Sequence, residues 1–175
     1  MKNVQGYYAG ILILRIALGV VMIAHGYNHI FRGGKIKGTA GWFESLGMKP
    51  GILHAWLASL TELGAGAMLI LGVLTPLAGA GVVGVMLVAL ITNHLKNGFF
   101  IFRPGEGYEY VLTLLLSGLA IAGIGAGKWS IDHSLESAWL FGWKGLLTAL
   151  VAGGGGAILL LAVFWRPVKK AAETS

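Results

Sequence analysis

Five apolar stretches, each near the length that crosses a bilayer, occupy most of the 175 residues of this chain, over 8–27, 52–73, 77–95, 108–126 and 143–165. A helix rising ~1.5 Å per residue needs about 20 residues to cross a ~30 Å hydrocarbon core. The runs are continuous rather than alternating in polarity, which favours helices over barrel strands. The sequence therefore predicts an all-α membrane protein. A few ionisable side chains lie inside or at the ends of these runs, and charge at membrane depth is costly unless it has a partner or a role.

Composition agrees. With 56% hydrophobic and 11% charged residues, the chain lacks the charge that a water-exposed surface requires. The mean hydropathy is +0.77. Arg15 interrupts the first apolar run and no small-x-small site follows it, so this span is expected to stay in the mature protein rather than act as a signal peptide. The net charge of +6 does not point to nucleic acid, because the basic residues are spread over loops instead of clustering with aromatics on one face. Their asymmetry sets a topology. Nine cations (Arg32, Lys35, Lys37, Lys49, Lys96, Arg103, Arg166, Lys169 and Lys170) fall on one side of five spans, and three (Lys2, Lys128 and Lys144) on the other. By the positive-inside rule the amino terminus lies outside and the carboxyl terminus in the cytoplasm. The chain has no cysteine, so thiol–disulfide exchange and thiolate-bound clusters are excluded, and redox chemistry needs a bound cofactor or a partner.

The connections differ in kind. Between the first two spans, Trp42, Phe43, Leu46 and Met48 recur at helical spacing beside four cations, which predicts a short helix lying in the membrane interface. Spans two and three meet at Leu74-Thr-Pro76, so short a turn that the helices must be antiparallel neighbours. Residues 96–105 set three phenylalanines beside Lys96 and Arg103, an interfacial composition. The outer loop carries Asp132, His133 and Glu136, expected to be solvated rather than to hold a cation. Trp42, Trp129, Trp139, Trp143 and Trp165 are expected in interfacial belts. Glycine is abundant inside the spans, marking faces where helices approach closely.

The order of motifs resembles the DoxX family of small bacterial membrane proteins. The resemblance rests on Arg15, Ala24-His-Gly26, Gly38-Thr-Ala-Gly-Trp-Phe-Glu-Ser-Leu-Gly47, Glu62, His94-Leu-Lys-Asn-Gly-Phe-Phe100, Gly107-Tyr-Glu-Tyr110 and Gly127-Lys-Trp-Ser-Ile-Asp132, and covers about residues 8–133. It implies a four-helix transmembrane bundle over 1–133 and an association with redox systems, including quinone-linked sulfur oxidation and membrane-bound oxidoreductase complexes. The plasma (inner) membrane of a bacterium is the implied location. Two departures stand out: a fifth span within the extension 134–175, and His29, where members often carry a lysine.

Two constellations follow from the residues. Arg15 lies about 10 Å and Glu62 about 16 Å from the outer end at helical rise. That predicts an intramembrane Arg15–Glu62 pair, either a structural clamp or a proton-exchanging pair. At the cytoplasmic ends, His25 and His29 share a helical face, His54 opens span two, Asn93 and His94 close span three, and Glu109 with Tyr110 opens span four. His25 and His29, four residues apart, have ligand spacing for a metal. His25, Asn93, His94, Glu109 and Tyr110 equally suit a quinone headgroup near the interface, the reading the resemblance favours. The sequence thus points to a small membrane subunit of a redox complex, with other membrane or peripheral redox subunits as partners. An assembly or anchoring subunit, or a solute or proton pathway, are the alternatives.

Overall fold

The computed structural model describes residues 4–135 and 141–167. The end of the bundle that holds residue 4 is the near end, and the opposite end is the far end. Helix α1 (Val4–Phe31) runs from near to far, and the short α2 (Lys35–Ser45) folds back on the far end. Helix α3 (Gly51–Leu71) returns, and α4 (Thr75–Ala89) runs out again, prolonged by a π-helical segment (Leu90–His94) and a 3-10 turn (Leu95–Asn97). Helix α5 (Glu109–Ile124) returns to the near end, where the single turn α6 (Ile131–Ser134) lies. The fifth span then runs outward as α7 (Trp143–Thr148), a second π-helical segment (Ala149–Gly155) and α8 (Gly156–Phe164). No named strand occurs among the described residues, and the protein is all-α.

Four helical stretches are long and apolar enough to cross a membrane: Val4–Phe31, Gly51–Leu71, Thr75–Asn97 and Trp143–Phe164. The remaining expected span, 108–126, is a helix of only 16 residues, Glu109–Ile124, or about 24 Å at helical rise. The short α2 is present, beginning before the aromatic stretch. Its Phe43 and Ala40 are buried on the side packed against α3, while Trp42 stays exposed.

Helices α1, α3, α4 and α5 enclose one core, in which Leu18, Met22, Leu69, Val82, Met86 and Ile121 are buried. Because lipid removes the hydrophobic drive for helix association, close packing and hydrogen bonds must hold such a bundle. The crossing of α1 and α3 shows the consequence. A Cβ on Gly66 would lie 2.7 Å from the Gly19 carbonyl oxygen, and one on Gly19 would lie 2.8 Å from the Gly66 carbonyl oxygen. Gly66→Val is expected to cost about 1–3 kcal/mol by prising these helices apart. Thermal unfolding in detergent would measure it, and an unchanged midpoint would contradict the crossing.

The fifth span packs along α4 and is tied to the α2–α3 connection at the far end. Trp165 Nε1 donates to the Leu46 carbonyl at 2.9 Å, and the Arg166 amide donates to the Gly47 carbonyl at 2.9 Å. Trp165 is thus a tie between elements rather than a member of a lipid-facing belt. Trp129 and Trp143 are exposed as the belt reading requires, and Trp139 lies outside the described residues.

Candidate functional site

The expected Arg15–Glu62 pair does not form. Arg15 is buried at the near end, where its guanidinium donates to four backbone carbonyls: Leu69 at 2.9 Å, Ile70 at 3.3 Å, Trp129 at 3.1 Å, and Ala126. Leu69 and Ile70 close α3, so their carbonyls belong to the group that a helix leaves unsatisfied at its C-terminus, where a cation is also favoured by the helix dipole. The reason for the failed pairing is directional. Side chains lean toward the N-terminus of their own helix. Since α1 and α3 are antiparallel, Arg15 leans to the near end and Glu62 to the far end. Equal depth at Cα does not bring their charged groups together.

Asp132 completes the near-end structure and is not a solvated loop residue. It is 1% exposed, and its carboxylate accepts from the Leu74 amide at 2.8 Å, the Thr75 amide at 2.9 Å and the Thr75 hydroxyl at 2.7 Å. These amides begin α4, so Asp132 caps that helix from a distant part of the chain. Its own amide donates to the Gly72 carbonyl at 2.8 Å, and Ser130 caps α6 by accepting from the His133 amide at 3.1 Å. With Asp132 engaged, the outer-loop cation reading loses its central ligand. Glu136 lies outside the described residues.

The far end carries a cavity of about 630 Å³, between α1, α2, α3, α4, α5 and the fifth span. Most of its wall is apolar: Met48 from the α2–α3 connection, Ala58, Val85 and Met86 from the core helices, and Ala152, Ala157 and Leu160 from the fifth span. The polar groups gather from His25, His29, His54, Glu62, Asn93, His94 and Tyr110. The fifth span is therefore part of the cavity wall.

Glu62, assigned from sequence to the pair with Arg15, belongs instead to this histidine group. Gly26 permits it: a Cβ there would lie 2.8 Å from the Ser59 carbonyl oxygen, so α1 lies directly on α3 at the level of His25 and His29. One ligand atom each from His25, His29 and Glu62 falls within 4.8 Å of the other two. Glu62 Oε2 lies 2.9 Å from His29 Nδ1. The two atoms are close but misaligned for a hydrogen bond, and each is buried without a hydrogen-bond partner. His25 Nε2 lies 3.4 Å from the Tyr110 hydroxyl.

The π-helical turn at Leu90–His94 presents Asn93 and His94 to the same cavity, because a wider turn keeps successive residues closer to one face. His94 Nδ1 donates to the Glu106 carbonyl at 3.0 Å, which leaves Nε2 to accept from Asn93 Nδ2 at 3.3 Å. Both nitrogens of His94 are satisfied, so it orders the wall. His54 is the reverse case. It is 2% exposed and lines the cavity between Phe43 and Phe164; the Lys49 backbone lies within reach of the ring, but neither ring nitrogen makes a well-formed hydrogen bond. Buried polar atoms are normally paired, so this ring is a ready donor or acceptor for a molecule in the cavity. The sequence places His54 at the far end but contains no local signal that it faces inward.

Glu109 is not among the cavity residues. It opens α5 at the expected level, yet its Oε1 accepts from the Ile101 amide at 3.0 Å, which turns the carboxylate to the 98–108 loop. The carbonyl of Glu106, three residues earlier, reaches the site in its place.

A bundle of apolar helices clasped at one end by Arg15 and Asp132, with a largely apolar cavity at the other, defines a multi-pass helical membrane protein. The chain belongs to the DoxX family, whose model matches residues 10–95. That region contains Arg15, His25, His29, Glu62, Asn93 and His94, while Tyr110 and the fifth span lie beyond it. The chain is similar to "Putative oxidoreductase CatD" of Bacillus subtilis, with 29% identity over 119 residues, covering 68% of this chain and 83% of the relative. It is also similar to "Uncharacterized membrane protein Rv3486" of Mycobacterium tuberculosis, with 24% identity over 134 residues, covering 72% and 81% respectively. No solved structure matches the chain.

Proposed function

We propose that the protein is a small membrane subunit of a bacterial inner-membrane redox assembly, and that its far-end cavity takes a quinone or a similar lipid-like redox molecule. The observation that carries this reading is the cavity of about 630 Å³, apolar over most of its wall with histidine, carboxylate, amide and phenol groups among its lining. Small-molecule sites typically fall in the range of roughly 300–1,000 Å³ and combine these two features. A quinone ring presents two carbonyl acceptors, and its reduction takes up two electrons and two protons. His54, His25 and Tyr110 supply polar hydrogen-bonding groups in the cavity wall, and Glu62 with His29 supplies groups able to pass a proton. The electrons must come from a partner or a bound cofactor, since the chain has no cysteine to supply them. The oxidoreductase name of the Bacillus subtilis relative agrees with this reading. The charge asymmetry of the loops supports an amino terminus outside and a cytoplasmic far end.

The test is organic extraction of the detergent-purified protein, with quinone quantified by chromatography. Wild type should carry quinone in near-stoichiometric amount. Ala58→Phe, which adds bulk to the wall without touching a polar group, should lower the content several-fold with an unchanged elution profile. A quinone-free wild type purified from quinone-replete membranes would overturn the reading and leave an assembly or anchoring role.

A further inference from the structure

We propose that His25, His29 and Glu62 bind one divalent first-row transition-metal ion at the wall of the cavity. This inference does not depend on quinone binding.

The donor set is two imidazoles and one carboxylate, the combination that suits iron, zinc and neighbouring ions and leaves coordination positions open. The fold assembles it from two helices. His25 and His29 stand four residues apart on one face of α1, and the close approach at Gly26 sets that face on α3 beside Glu62. The three ligand atoms lie within 4.8 Å of one another. Bonds of about 2.0–2.1 Å at tetrahedral angles would place them about 3.4 Å apart, so small side-chain rotations close the site.

Two further observations point to a cation here. Glu62 is 2% exposed, and its Oε2 has no hydrogen-bond partner. His29 Nδ1 lies 2.9 Å away without a well-formed hydrogen bond to it, so both atoms keep unused capacity for a common neighbour. The second observation is charge. A buried carboxylate is costly unless it is paired or coordinates a metal. Among the described residues no lysine or arginine pairs with Glu62, its one ionisable partner being His29, and Arg15 is held by carbonyls at the other end of the bundle. With both imidazoles neutral the group carries one negative charge, and a divalent cation offsets it.

The experiment uses the full chain purified in detergent, stripped with a chelator, and titrated with Zn²⁺ alone and with Co²⁺ alone, bound metal being counted by elemental analysis after dialysis. One equivalent should bind, and Co²⁺ should give a visible absorption band from its ligand field. Glu62→Gln and His25→Ala should each weaken binding by about 100-fold or more and abolish the band, since replacing even outer-shell partners of a metal costs 10–100-fold. His133→Ala, at an exposed loop position, should bind as wild type. His25 is only partly buried, so its variant keeps the test open if Glu62→Gln does not fold. Zn²⁺ should also raise the thermal midpoint of wild type and not that of the variants. Failure of wild type to bind, or equal binding by wild type and both site variants, would overturn the proposal and leave the His29–Glu62 contact as a structural one. Quinone content of the same preparations separates the two readings: metal loss with quinone retained, or the reverse, identifies which one fails.

Discussion

Asp132→Ala is expected to lower the unfolding free energy by about 3–5 kcal/mol, the loss typical of removing one member of a buried charged network. The substitution strips acceptors from the Leu74 amide, the Thr75 amide and the Thr75 hydroxyl at once. Hydrogen bonds to a charged acceptor contribute roughly 1.5–3 kcal/mol each, though not additively, and donors left buried without an acceptor add their desolvation cost. Water cannot easily replace the carboxylate, because Asp132 and Thr75 are both buried. The first turn of α4 then frays, and with it the turn that joins α3 to α4. Asp132→Asn should fall between, since an amide keeps one acceptor but aims a donor at the remaining amides. Lys128→Ala, exposed in the same loop, should stay within about 0.5 kcal/mol of wild type. Denaturant or thermal unfolding in detergent gives the comparison. An Asp132→Ala protein as stable as Lys128→Ala would show that the carboxylate does not cap α4.

The spans and the short α2 were legible because apolar runs and helical spacing are one-dimensional signals, and lipid leaves a spanning chain only helices or a closed barrel, between which continuous apolar runs decide. The facing of His25 and His29 was legible for a related reason: residues four apart in a helix share a side whatever the fold. Which groups would meet was less so. Counting residues from a helix end gives the depth of Arg15 and Glu62 but neither the direction in which each side chain leans nor the face it occupies. Those depend on how α1 and α3 run past each other, and they sent Arg15 to carbonyls and Glu62 to histidines. Glu109 shows the same limit on a smaller scale, since its level was right and its carboxylate turned to Ile101. Asp132 was hidden differently. It sits in a short polar loop and caps a helix that begins 57 residues earlier in the chain, a contact that no local pattern announces. The π-helical segment at Leu90–His94 also has no sequence signature, yet it lets adjacent Asn93 and His94 both face the cavity.

Arg15→Leu and Glu62→Leu should act on stability independently, with opposite weights. Arg15→Leu removes the donor to four carbonyls, among them those that close α3, and leaves them in an apolar end of the bundle. It is expected to cost about 3–5 kcal/mol, because several buried carbonyls lose a charged donor at roughly 1–3 kcal/mol each, though not additively. Glu62→Leu, measured in chelator-treated protein, removes a buried carboxylate whose Oε2 has no hydrogen-bond partner, and should be neutral or stabilising. Because the two residues share no partner, the double variant should match the sum of the singles within about 0.5 kcal/mol. A direct ion pair predicts something else: each single substitution would be damaging and the second would rescue the first. A double-mutant cycle in detergent therefore decides between the two arrangements. A coupling energy of 1 kcal/mol or more in the rescuing direction would place Arg15 against Glu62 after all, whereas a coupling near zero assigns Arg15 to the clasp and frees Glu62 for the chemistry of the cavity.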